Sequence, residues 1–122
     1  MPAASIDKSD ARYPLYKIAI EGALLLQRDV YRGAGSSANV MGMFVSFCVF
    51  IGHAEGRPMN ATKIALYLNM PRTTVLRKLK ELLAAKIVVQ RGNFYLMAVS
   101  RQKPPASIDK LTALAKKLLT DR

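Results

Sequence analysis

The chain has one cysteine, one histidine and no tryptophan in 122 residues. A single cysteine excludes an intrachain disulfide and any zinc site built on several thiolates. With one histidine as well, the usual metal-ligand and nucleophile–base constellations cannot be assembled, and no paired-carboxylate or phosphate-loop pattern stands out. The expectation is no enzyme: no catalytic residue, no cofactor and no metal. Long apolar runs are missing too. Residues 33–54 carry no Asp, Glu, Lys or Arg, yet only 40–52 is strongly apolar. About 13 residues of helix reach roughly 20 Å, against the ~30 Å that a membrane span needs. That stretch reads as a buried central helix, and no membrane partner is expected. Residues 1–10 lack the charged start and apolar run of a signal peptide, so a cytoplasmic location is expected.

Acidic residues are scarce as well, eight against nineteen Lys and Arg, giving a net charge of +11. The excess is local. Arg57, Lys63, Arg72, Arg77, Lys78, Lys80, Lys86, Arg91, Arg101 and Lys103 stand against Glu81 alone, so +9 of the +11 falls within residues 57–103. A charge serving solubility would be spread along the chain, whereas a local basic surface points to a polyanion. At 51% hydrophobic and 22% charged, the composition is that of a globular protein, and the length suits one domain with short arms.

Residues 1–13 read as an irregular arm. Helical periodicity begins after Pro14, with Leu15, Ile18, Ala19, Gly22, Leu25 and Leu26 on one side and Lys17, Glu21, Arg28 and Arg32 on the other. Gly33, Ala34 and Gly35 end that helix, and Ser36 or Ser37 can cap a second one running to about Ala54, apolar nearly all round. Asn60 suits the N-cap of a short helix over 61–69. Pro71 suits the first position of the next, 71 to about 85. Residues 87–91 and 94–99 then form a hairpin around Gly92-Asn93, a type II′ turn. A last helix, with Ser107 as cap, carries Ile108, Leu111, Leu114, Ala115, Leu118 and Leu119 on one stripe. Ala4-Ser5-Ile6-Asp7-Lys8 recurs as residues 106–110, and both copies look like helix starts, though five residues make no repeat architecture.

Helix, tight turn, helix and two-stranded ribbon, with the basic residues concentrated there, is the winged helix-turn-helix pattern. Ile64, Ala65, Leu68, Met70, Val75, Leu79 and Leu82 form one apolar set. Arg72, Thr73, Leu76, Arg77 and Lys80 are left on the outer side of the second helix. The run from Thr62 to Leu82, with Pro71-Arg72-Thr73-Thr74-Val75 at its centre, resembles the winged-helix regulators of the MarR and IclR families. The likeness covers about residues 40–99. The Pro-Arg-Thr-Thr-Val turn is closer to IclR proteins, and the flanking helices and length are closer to MarR proteins. Two features depart from these families: the large effector domain of IclR proteins is not in this sequence, and the wing is shorter than in MarR proteins, without their acid–Arg pair.

The resemblance implies a mainly helical fold with a small β-hairpin wing and flanking N- and C-terminal helices. The expected organisation is an arm over 1–13, a winged helix-turn-helix domain over 14–103 with its recognition helix at about 71–85 and wing at about 87–99, and a dimerisation helix over 104–122. The resemblance also implies double-stranded DNA as partner. Arg72, Thr73 and Arg77 match positions that reach base edges or phosphates, and Thr74 matches a helix-start residue bonding backbone or phosphate. Thr62 matches a phosphate contact at a helix N-terminus. Arg91 and Asn93 match the wing tip, and Lys78 and Lys80 add charge for phosphates. Association of two copies through the terminal helices would make a homodimeric transcriptional regulator. The alternative is a winged-helix module that docks protein or RNA without specific DNA readout. Cys48 reads as a buried structural thiol, and His53 as a cation favoured by the helix dipole or a surface residue. Tyr67 and Phe94 read as core or rim.

Overall fold

The computed structural model describes residues 2–29, 39–101 and 107–120. Among these the chain forms five α-helices and one antiparallel hairpin: α1 (Arg12–Asp29), α2 (Val40–Ala54), α3 (Ala61–Leu68), α4 (Arg72–Ala84), β1 (Val88–Arg91), β2 (Phe94–Met97) and α5 (Ser107–Thr120). A single 3₁₀ turn, Val99–Arg101, follows the hairpin. The fold is mainly helical with a small β-wing, as the sequence predicts. No helix among the described residues is long and apolar enough to cross a membrane.

The chain divides into two compact units, one holding α1 and α5 and the other α2, α3, α4 and the hairpin. The expected domain over 14–103 is corrected at its start, because α1 pairs with α5. Leu111 of α5 comes so near Gly22 that a Cβ there would lie 3.0 Å from Leu111 Cδ1. Helix α1 begins two residues before Pro14, which sits in the first turn, where a missing N–H leaves no bond unmade. The stop at residues 33–35, the caps Ser36 and Ser37, and the Lys103-Pro104-Pro105 break lie outside the described residues. Of the two pentapeptides, residues 107–110 of the second open α5, with Ser107 as the helix's first residue, but the first is not helical. The Asp7 side chain accepts from the Ser9 amide at 2.9 Å, and Asp10 accepts from the Arg12 amide at 2.9 Å. These local bonds give the backbone an alternative to the helix until Arg12.

In the second unit the core is Met43, Val45, Cys48 and Val49 of α2, Met59, Ala61, Ile64 and Ala65, Val75, Leu79 and Leu82 of α4, and Ile87, Val88 and Tyr95 at the wing root. The N-cap of α2 is Asn39, whose side chain accepts from the Gly42 amide at 2.8 Å. Helix α2 is not wrapped all round. Its buried side faces α3, α4 and β2, while Val40, Met41, Phe44 and Phe50 are roughly half exposed. Ser46 stays buried inside the helix because its hydroxyl donates to Met43 O at 2.8 Å. Cys48 is buried as expected, and that burial raises its pKa.

Gly52 admits the chain that leaves α2. Arg57 N donates to Gly52 O at 2.8 Å, and a Cβ on Gly52 would lie 2.8 Å from Arg57 O. The returning segment places Met59 against β2, where Tyr95 N donates to Met59 O at 3.1 Å and makes a one-residue third strand. At the other end of β2, the Met97 amide donates to His53 Nδ1 at 3.0 Å. His53 is exposed, and its Nδ1 is the acceptor of this bond.

Candidate nucleic-acid interface

Asn60 caps α3 as its sequence position suggests, the side chain accepting from the Lys63 amide at 2.8 Å. Helix α3 ends on Asn69, which takes the left-handed conformation at φ 54 and ψ 49. Asparagine tolerates that region better than most residues, and the Met70 amide closes the end by donating to Ala65 O at 3.0 Å. Pro71 is the N-cap of α4 rather than its first residue. Its ψ of 138 is extended, and its carbonyl accepts from Val75 N at 3.2 Å. Two short caps thus turn the chain between α3 and α4 within three residues.

Helix α4 is two-sided. Val75, Leu79 and Leu82 are fully buried against α2 and α3, so Arg72, Thr73, Arg77 and Lys80 are exposed on the outside, with Thr74 and Leu76 half-buried. Lys78 departs from the expected set. It is 7% exposed and its Nζ lies 3.6 Å from Glu81 Oε2, so it belongs to the buried side and is corrected from a phosphate contact to an internal ion pair. The reason is helical geometry: Lys78 precedes Leu79 and Leu82 by one and four positions, which places it at the edge of the packed face.

The wing forms by a two-residue turn, with Arg91 opposite Phe94 and Gln90 opposite Tyr95. Gly92 has φ +61 and Asn93 is not left-handed, the combination of a type II′ turn. Side chains alternate faces along a strand, so buried Tyr95 sets Arg91 and Phe94 on the opposite face. Arg91, Asn93 and Phe94 are all exposed at the tip. The chain enters the hairpin through Lys86 at φ 60, with Ile87 N donating to Leu82 O at 3.0 Å.

Thr62 is exposed in the first turn of α3, and its Oγ1 accepts from Arg72 Nε at 3.1 Å, which joins the two helices at the turn. Lys63 beside it is also exposed and was not among the residues expected to bind; its place one residue past Thr62 in an acid-free stretch was the available signal. Leu66 is 79% exposed and Tyr67 61% exposed on the outer face of α3, so Tyr67 is not part of the core. Eight of the nine expected residues (Thr62, Arg72, Thr73, Thr74, Arg77, Lys80, Arg91 and Asn93) keep some or full exposure in this unit. Comparison with protein families, with curated proteins and with solved structures found no match to this chain.

Proposed function

We propose that this protein binds double-stranded DNA in a sequence-specific way and acts as a homodimeric transcriptional regulator of the winged-helix class in the cytoplasm. One observation carries the reading: Arg72, Thr73, Arg77 and Lys80 stand exposed on one side of a helix whose other side is locked into the core. A helix presented in that way suits a major groove about 12 Å wide. Lys and Arg neutralise phosphates and hold the register, while a few side chains on α4 select sequence. The hairpin tip, with Arg91 and Asn93, is placed by this reading on the backbone or minor groove.

Support for a dimer comes from the other unit. Among its described residues no large apolar side chain is fully buried, and Leu15, Tyr16, Ile20, Leu24 and Leu119 are about half exposed or more. A second copy would cover them, and a two-fold dimer places two recognition helices ~34 Å apart on a near-palindromic site. Sedimentation of the Ile20→Asp variant checks this, with a shift to monomer expected.

The test of DNA binding is fluorescence-anisotropy titration of a selected duplex and a scrambled duplex at two salt concentrations. With six to ten phosphates covered, affinity falls about 10³–10⁵-fold between 50 and 200 mM salt. Arg77→Ala weakens binding several-fold. A salt slope near zero removes the mechanism. A second reading, a module that docks protein or RNA, draws on Leu66 and Tyr67, large apolar groups that a phosphate backbone does not need. Preference for single-stranded RNA, or no nucleic-acid binding at all, favours it.

A further inference from the structure

We infer that Arg72 is the side chain that selects a base pair, and that Thr62 is the positioning residue that aims it. The inference rests on the DNA-binding reading above. Arg72 is the first residue of α4 and Thr62 the second of α3, ten positions earlier, and the tight turn brings them to an Nε–Oγ1 distance of 3.1 Å. Recognition helices contact base edges mostly from their N-terminal residues, and Arg72 occupies that end.

The chemistry of the bond decides what it does. A guanidinium carries five N–H donors in one plane. Using the Nε donor fixes the plane and leaves the four donors of the two terminal nitrogens. That terminal fork matches the O6 and N7 acceptors of guanine in the major groove. Both partners are exposed, so the bond adds little to folding stability. Its effect is on a long flexible side chain, which it holds near one orientation before DNA arrives and so lowers the ordering cost of binding. Arg77 and Lys80 lie exposed on the same helix and have no hydrogen-bond or ion-pair partner among the described residues. They can follow a phosphate wherever it lies, which suits affinity and not discrimination.

Thr62 therefore changes role. A hydroxyl that met a phosphate would strengthen binding to every sequence equally, whereas one that aims Arg72 strengthens binding to one base pair. The experiment titrates the full chain against the selected duplex and a panel carrying single base-pair changes, at two salt concentrations. Wild type is compared with Thr62→Val, Thr62→Ser and Arg72→Lys. Thr62→Val, close in shape but without the acceptor, is expected to lose about tenfold discrimination at one base pair per half-site, with the salt slope unchanged. Thr62→Ser restores the discrimination, and Arg72→Lys loses it at the same base pair while keeping the charge. A loss spread evenly over the panel for Thr62→Val, or no change at all, overturns the inference. Failure of the wild-type chain to prefer its selected duplex overturns the DNA-binding reading itself, and that is seen before any variant is measured.

Discussion

Lys78 and Glu81 form an ion pair one turn apart on α4, with Nζ 3.6 Å from Oε2 and the Lys78 side chain 9% exposed. The same helix therefore carries lysines of two kinds. Lys80 stands in solvent, while Lys78 lies at the edge of the core.

The pair predicts opposite outcomes for the two lysines. Glu81 Oε2 is buried without a hydrogen bond among the described residues, so Lys78→Ala leaves that carboxylate unpaired. Because Glu81 is still 27% exposed, the cost is moderated by solvent, to about 1–2 kcal/mol. Lys78→Met, which keeps the apolar stem, costs less. Urea melts measure both, and the salt slope of DNA binding is expected to stay unchanged in each. Lys80→Ala is expected to do the reverse, flattening the slope by about one unit without moving the melt.

Gly52 is expected to reject a side chain. The Cβ of Gly52→Ala meets the Arg57 carbonyl, which is held by the bond from Arg57 N to Gly52 O. Backbone on both sides must shift, and a loss of about 1–3 kcal/mol is expected in thermal or urea unfolding.

His53→Ala removes the acceptor for the Met97 amide. Since the bond is exposed, global stability falls by no more than about 1 kcal/mol. Native-state hydrogen exchange separates the effect: the Met97 amide exchanges faster while the Leu79 amide, in the core of α4, keeps its protection.

Burial raises the pKa of the Cys48 thiol, so the folded chain holds that proton after an unfolded chain would release it. The unfolded state then binds fewer protons, and stability is expected to fall as pH rises through the ordinary thiol range near 8.5. The Cys48→Ser variant abolishes that part of the slope. In the folded wild type, Cys48 is expected to react with a disulfide reagent only as fast as the protein opens.

Much of the second unit was legible because its signals are local. Asn60 as cap, the apolar set Ile64, Val75, Leu79 and Leu82, and Gly92-Asn93 as a two-residue turn each depend on a few neighbouring residues, and each holds in the structure. Two readings next to them missed by one position or more. Pro71 became a cap because its extended ψ, and not its missing N–H, sets where α4 begins, and Asn39 capped α2.

The sequence by itself determined the helix–turn–helix–hairpin order and the side of α4 that turns outward. Both follow from periodicity and turn chemistry, which act within a few residues. Only the tertiary structure decided which charges are available. Lys78 and Lys80 are both lysines amid a basic run, yet packing against the core pairs one and leaves the other in water. It also joined Thr62 to Arg72, placed His53 under the end of β2, and moved α1 from the winged unit to α5. These are contacts between residues ten, forty-four and roughly ninety positions apart, set by how completed elements pack, and no local pattern encodes them.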